Sequence, residues 1–183
     1  MKIAFSTLGC PDSDWADIYP MAKDLGYDGI EIRGLGNDIS AVQSPPFTQA
    51  KLSQTMEKLA SLHLEIPCFS SGCCLKDAAH AEENEKEITE YIELASQAGA
   101  PFVRILADLE PYPDGEGDDE AVIGQLRRLA PIAEGKNVTL LVETNGVYAD
   151  ASRLASLLNQ IESDKPRSRT WALISNMSMS RIP

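Results

Sequence analysis

The chain of 183 residues is long enough for one domain with a substantial core, and its 43 % hydrophobic and 24 % charged content is ordinary for a globular protein. Its formal net charge of −12 argues against nucleic acid as a partner, because binding to phosphates relies on Lys and Arg. The first residues lead into an apolar stretch that is too short for a signal sequence or a membrane span. We therefore expect a cytoplasmic protein with no membrane partner.

Five short apolar runs with β propensity recur along the chain, at residues 3–8, 29–32, 64–69, 102–106 and 138–142. Their starts are 26, 35, 38 and 36 residues apart, which leaves room for one crossover helix each time. The segments between and after the runs carry apolar residues at helical spacing. The sequence therefore predicts a βα repeat with parallel strands.

A barrel is favoured over a doubly wound sheet. The turn after the first run, residues 7–12 (TLGCPD), lacks the GxGxxG pattern of a dinucleotide fold. Polar side chains follow each run, and barrel enzymes assemble their sites at the carboxyl ends of the strands. We expect an α/β fold of the (β/α)8 TIM barrel type, incomplete at about five βα units. It would form an open arc in which the inward faces of Ile3, Ile30, Ile66 and Ile105 are only partly covered.

Glu143 ends the most apolar run and is the strongest candidate for chemistry. A carboxylate at this position is a hard oxygen donor, suited to a divalent cation or to proton abstraction next to a carbonyl. The alternative is a structural acid paired with a neighbouring Arg or Lys.

Arg104 and Glu31 are charged residues within two other apolar runs. A charge in a buried strand needs a partner, so Arg104 either binds a substrate hydroxyl or phosphate or pairs with Glu31 or Glu143 across the barrel mouth. Glu31 alternates with Ile30 and Ile32, which points it into the barrel while the two isoleucines face the helices. For Glu31 too, membership of a buried ion pair is the alternative.

Ser70 and Ser71 form a polar turn with Gly72 after the third run. Such a turn offers hydroxyls and backbone N–H groups to an oxygen-rich ligand, and an ordinary loop is the alternative.

Four segments taken together resemble the sugar phosphate isomerases and epimerases of the xylose isomerase-like TIM barrel family, within the AP endonuclease family 2 superfamily. They are residues 2–11 (KIAFSTLGCP), 25–33 (LGYDGIEIR), 98–105 (AGAPFVRI) and 138–146 (VTLLVETNG). The resemblance covers roughly residues 1–164. It implies an enzyme with a divalent metal ion (Mn2+, Mg2+, Co2+ or Zn2+) that moves a proton or hydride between adjacent carbons of a keto sugar or polyol.

The resemblance also assigns roles to individual residues. In the family, the glutamate that ends the fifth strand is a metal ligand and often a base, which makes Glu143 the expected catalytic and metal-binding residue. Glu31 and Arg104 match substrate-facing positions, and we add Ser70, Ser71 and Asn145 to the expected substrate-binding set. Asn145 stands where many members have His, and the family's ligands on strands six to eight have no counterpart in this sequence.

The charge pattern changes after Asp164. All 28 acidic residues lie at or before it, so residues 1–164 carry a formal charge of −16 and residues 165–183 carry +4. We expect residues 1–164 to form the partial barrel and residues 165–183 to be an atypical tail read in a shifted frame. The chain as given would then be inactive.

Two functions remain open at this point. The first is a homo-oligomeric sugar phosphate isomerase or epimerase whose complete form isomerises or epimerises a keto sugar or polyol. The second is a non-catalytic barrel fragment that is stabilised by association with another chain. Metal-dependent turnover of a keto sugar would distinguish them.

Overall fold

The computed structural model describes residues 2–36, 38, 40–110 and 116–162, and the backbone of 171–175. The six strands are β1 (Ala4–Ser6), β2 (Gly29–Glu31), β3 (Cys68–Cys74), β4 (Phe102–Leu106), β5 (Thr139–Thr144) and β6 (Trp171–Ser175). The five α-helices are α1 (Trp15–Asp24), α2 (Leu52–Ser61), α3 (Ala81–Ala98), α4 (Asp119–Gly135) and α5 (Ala151–Glu162).

The strands follow one another in chain order and are all parallel. One sheet pairs β1 with β2, and a second sheet has the order β3-β4-β5-β6. Single parallel bridges, Gly29 to Glu65 and Ile32 to Phe69, join the two sheets. The fold is therefore an α/β partial TIM barrel, as the sequence predicts, with a sixth strand beside the five expected ones.

The helices owe their positions to apolar stripes. In α3, Ile88, Tyr91, Ile92 and Ala95 follow the i, i+3, i+4, i+7 spacing and are fully buried. The helix stops at Gly99, which adopts a left-handed conformation (φ +71°) that suits glycine and lets its N–H reach the carbonyl of Ala95. Each crossover helix thus covers the sheet and returns the chain to the start of the next strand.

The third strand begins later than the sequence predicts, at Cys68 instead of residue 64. Pro67 has no N–H to donate to a ladder, so it interrupts the pairing. Before Pro67, Glu65 accepts a hydrogen bond from Ile30 of β2 and donates one to Asp28. After it, β3 pairs with β4 and also bonds to Ile32, the residue that follows β2. The displaced strand carries Ser70 inside it rather than beyond its end.

The expected exposure of the inward residues is wrong for three of the four. Ile30, Ile66 and Ile105 are buried in the hydrophobic core, and Ile3 is 50 % exposed. Strand residues alternate between the two faces, so Ile30 and Ile105 pack on the helical side while their neighbours Glu31 and Arg104 occupy the inner side. The inner side of the arc is therefore polar at the carboxyl ends of the strands.

Among the described helices, none has the length and apolar character that a membrane crossing requires. The predicted atypical tail at 165–183 lies outside the described residues except for the backbone of β6. Its shifted reading frame stays a prediction.

Candidate active site

Four side chains from four neighbouring strands meet on the inner side of the arc. Ser70 of β3 and Arg104 of β4 are register partners, and Glu143 of β5 lies opposite Leu106. Glu31 is the last residue of β2. The carboxyl ends of parallel strands share one edge, which brings Glu31, Ser70, Arg104 and Glu143 together although they are far apart in sequence. We call these four residues the mouth cluster.

Arg104 is the centre of the mouth cluster. Its Nε donates a hydrogen bond to Oγ of Ser70 at 3.1 Å, and the Ser70 hydroxyl donates to Oε1 of Glu31. The same Nε lies 3.8 Å from Oε1 of Glu31, and Nη1 forms an ion pair with the Glu143 carboxylate. One guanidinium therefore lies between two carboxylates. Glu31, Arg104 and Glu143 therefore form the ion pairs that were expected as the alternative, and they form them on the inner side of the arc.

Burial differs across the mouth cluster. The side chains of Glu143 and Arg104 are 7 % and 13 % exposed, whereas that of Glu31 is 31 % exposed. Burial lowers the pKa of Arg104, and the nearby Glu31 carboxylate opposes this shift, so the guanidinium stays charged. Oε2 of Glu143 has its ion-pair contact but no hydrogen-bond partner among the described residues. That oxygen is the one in contact with Nη1 of Arg104, so the carboxylate is held directly against the guanidinium.

Ser71 and Asn145 are placed differently from the mouth cluster. Ser71 is fully buried, and its Oγ accepts the backbone N–H of Cys73 at 3.3 Å. Asn145 follows β5 directly, and its backbone N–H donates to the carbonyl of Glu143. The roles assigned to both residues stay predictions, and the hydroxyl of Ser71 is already engaged within its own strand.

Two charged residues at the same edge were missed in the sequence. Asp108 lies two residues after β4, is almost fully buried, and accepts a hydrogen bond from Nζ of Lys76 at 2.8 Å. The rule that polar side chains follow barrel strands applies to Asp108 as it does to Glu143. It was overlooked because Arg104, inside the strand, was the more unusual charge.

The described residues fit a divalent metal ion only in part. Glu143 offers a carboxylate, a donor type that suits a hard cation, and its Oε2 contacts Nη1 of Arg104. No group of three or more His, Cys, Asp or Glu side chains within the described ranges is arranged to hold a metal ion. Catalytic metal sites commonly draw on three protein ligands, so this part of the chain does not form a metal site by itself.

Comparison with known proteins identifies the family. Residues 20–167 match the family described as xylose isomerase-like TIM barrel, and the chain belongs to that family. None of the curated proteins matches the sequence.

Solved structures share the fold at low sequence identity. A probable 3-DHS dehydratase, AsbF, of Bacillus anthracis superposes with a TM-score of 0.72 at 18 % identity, covering 96 % of this chain and 62 % of that protein. A xylose isomerase-like TIM barrel protein of Mycobacterium smegmatis, solved in complex with magnesium, gives 0.71 at 16 % identity and covers 94 % and 63 %.

The D-psicose 3-epimerase of Clostridium cellulolyticum, solved with D-tagatose, gives a TM-score of 0.71 at 14 % identity and covers 100 % of this chain and 67 % of the epimerase. The chain thus spans about three fifths of the length of the first two neighbours and two thirds of the third. At these identities the likeness shows a common fold.

Proposed function

We propose that the mouth cluster binds a keto sugar or polyol and that the complete protein isomerises or epimerises it. The observation that carries the proposal is the buried Glu143 carboxylate in direct contact with the Arg104 guanidinium on the inner side of the arc. In such a pair the carboxylate can take up a proton from carbon, and the cation can stabilise the negative charge that develops on the adjacent oxygen.

Each residue of the mouth cluster has its own role in the proposed reaction. Glu143 accepts the proton from the carbon next to the carbonyl, the electron pair moves onto the carbonyl oxygen, and Arg104 stabilises that oxygen. In isomerisation a proton that has exchanged with solvent is delivered to the neighbouring carbon, while the hydroxyl proton of that carbon moves to the former carbonyl oxygen. In epimerisation a second carboxylic acid, from outside the described residues, protonates the same carbon on its opposite face. Glu31, the most exposed acid of the cluster, accepts hydrogen bonds from substrate hydroxyls, and Ser70 holds Glu31 and Arg104 in place.

A divalent cation (Mn2+, Mg2+, Co2+ or Zn2+) belongs to the proposal. When bound it would polarise the substrate carbonyl as a Lewis acid. Glu143 is the described residue that would ligate it, and the further ligands would come from outside the described residues. The magnesium complex of the Mycobacterium smegmatis neighbour supports including the cation.

The test is deuterium exchange from solvent into a panel of ketohexoses and ketopentoses in D2O, with each cation added in turn and proton NMR as the readout. The completed barrel with the wild-type residues should incorporate deuterium next to the carbonyl, and the variants are made in that form; the 183-residue chain alone should not. Glu143→Gln should lose this activity and stay folded, because it removes the charge and keeps the volume. Arg104→Ala should raise KM and also lower kcat, because the guanidinium both binds the substrate and stabilises the charge that develops on its carbonyl oxygen.

The matched control is Glu65→Gln, which changes an exposed glutamate paired with Lys2 before the start of β3. It should exchange deuterium as the wild type does. Near-normal exchange by Glu143→Gln would show that the catalytic assignment is wrong.

The second candidate is a non-catalytic barrel fragment that associates with another chain. Within the described part of the chain, β1 pairs only with β2 and β6 only with β5, so each presents one unpaired strand edge. Unpaired edges favour association. Defined oligomers without any deuterium exchange or cation binding would support this candidate.

A further inference from the structure

A buried ion pair next to the mouth cluster connects three successive loops. The Asp108 side chain is 3 % exposed and that of Lys76 is 23 % exposed, with Nζ of Lys76 2.8 Å from Oδ2 of Asp108. Burial raises the pKa of the Asp108 carboxyl, but Lys76 and two backbone N–H donors together bring that pKa below its ordinary value. Asp108 is therefore held as a carboxylate in a nearly closed environment, and the mechanism above does not use it.

The carboxylate of Asp108 holds the turn that follows Glu143. Its Oδ2 accepts the N–H of Val147 at 3.3 Å, and its Oδ1 accepts the N–H of Glu110 at 3.2 Å. Gly146 packs directly on the same carboxylate: a Cβ at this position would lie 2.3 Å from Oδ2. The close approach and the φ of +53° at Gly146 both require glycine. The turn 144–147 is thus fitted around Asp108.

The backbone around Lys76 is held by hydrogen bonds to the end of β4 and to α4. The chain beyond β3 continues beside β4, with hydrogen bonds from the N–H of Leu75 to Leu106 and from the N–H of Lys76 to Ala107. The buried side chain of Gln125 in α4 donates to the carbonyl of Leu75 at 2.7 Å. The ammonium therefore reaches Asp108 from a well-anchored backbone, and the ion pair joins the loops after β3, β4 and β5.

We propose that Asp108, held by Lys76, is a positioning residue of the mouth cluster: it fixes the turn 144–147 and thereby the orientation of Glu143 and Asn145 at the barrel mouth. The inference rests on the proposed function for its catalytic consequence, but the fixing of the turn is a separate physical claim. Glu143 lies near the end of β5, and Asp108 holds the residues that follow it. Without these contacts the Glu143 carboxylate would stay in the strand, but its orientation at the barrel mouth would be less well fixed.

The first experiment measures the turn without reference to activity. Native-state hydrogen exchange by NMR is compared in the wild type, Asp108→Asn and Glu85→Gln. The matched control, Glu85→Gln, breaks another ion pair between neighbouring units, the one from Glu85 to Arg128. In Asp108→Asn the amide of Val147 should exchange about tenfold faster or more, because a hydrogen bond to a charged acceptor is lost. Val142 in β5 should be unchanged.

The second experiment measures kcat and KM on the sugar identified by deuterium exchange. Asp108→Asn should lower kcat by about tenfold to a hundredfold, since small misplacement of a reacting group has effects of this size. KM should change much less, because Arg104 and Ser70 stay in place. Lys76→Met should behave like Asp108→Asn, and Glu85→Gln should leave both constants unchanged.

Each outcome decides a different claim. Unchanged Val147 exchange in Asp108→Asn, or a kcat no lower than that of Glu85→Gln, overturns the positioning role. Full activity of Glu143→Gln overturns the proposed function and the catalytic part of the inference, while faster Val147 exchange would still support the fixing of the turn. If Asp108→Asn fails to fold, Lys76→Met is measured instead and decides in the same way.

Discussion

Arg104 shows how much one side chain determines at this barrel mouth. It is the single cation of the mouth cluster, and two acids from strands on either side of it depend on it for charge compensation. Removing a partner from a buried ion pair costs more than the pair contributes, because the remaining charge stays buried without compensation. We therefore expect Arg104 to stabilise the fold, in addition to the role it has in the proposed function.

Arg104→Met should lower the free energy of unfolding by about 3–5 kcal/mol, since Glu143 is then left buried without a counter-ion. The double variant Arg104→Met/Glu143→Gln should recover a large part of this loss, because no uncompensated charge remains. Urea denaturation measures both. The control Lys136→Met removes the exposed pair with Glu93 and should cost less than about 1 kcal/mol. Equal costs for Arg104→Met and the control would contradict the prediction.

The residues of the mouth cluster could be found from the sequence because each breaks a local pattern. Glu31 and Arg104 interrupt apolar strands, and Glu143 ends one, so strand periodicity alone predicts that they share an edge. Their mutual contacts were expected as one alternative, in which Arg104 pairs with Glu31 or Glu143. The sequence could not decide between this pairing and substrate binding, because the pairing of Glu31 with Arg104 depends on how far the arc curves between β2 and β4. Asp108 was missed for a related reason: its importance comes from the glycine turn of another unit.

At the scale of elements, the parallel order and the helix positions followed from the spacing of apolar runs. The start of β3 did not, because Pro67 divides one apolar run into a part that pairs with β2 and a part that pairs with β4. Two expectations from the sequence conflicted for Ile30, which was placed on the inner side among the partly covered residues and on the helical side by alternation with Glu31. The structure agrees with alternation, and Ile105 beside Arg104 follows the same pattern. Alternation with a charged neighbour is the better guide for such strands.

Substitution of Gly146 tests how closely the turn after β5 packs against Asp108. Gly146→Ala should destabilise the protein by about 1–3 kcal/mol, because the new methyl group meets the Asp108 carboxylate in a conformation that L residues rarely adopt. Gly135→Ala is the matched control: it lies at the end of α4, has no atom within 4 Å of the added Cβ, and should be neutral or slightly stabilising. Thermal unfolding of the two variants gives the comparison. A Gly146→Ala protein as stable as the control would mean that the turn is not fitted around Asp108.

For the whole molecule, the open arc predicts self-association. Within the described ranges β1 has one strand neighbour, and Ile3 at its start and Leu8 after its end are exposed apolar residues. We expect light scattering to find a homo-oligomer. Ile3→Lys should shift it towards the monomer, because a charge on a strand edge opposes pairing. Leu25→Lys, at another exposed apolar residue that follows α1, should leave the oligomer unchanged. A cooperatively unfolding wild-type monomer would contradict this expectation.

The seam between the two sheets divides the mouth cluster unevenly. Glu31 lies on the two-stranded side, and Ser70, Arg104 and Glu143 lie on the other, with Pro67 interrupting the backbone pairing between them. Glu31 is joined to the rest of the mouth cluster by its contacts with Ser70 and Arg104 and by backbone hydrogen bonds that cross the seam on both sides of Pro67. In the proposed function, the first two βα units therefore contribute to substrate binding through Glu31, whereas Glu143, the proposed proton acceptor, belongs to the larger sheet. Variation among relatives in substrate choice should accordingly concentrate in residues 2–67, and variation in rate in the strands beyond.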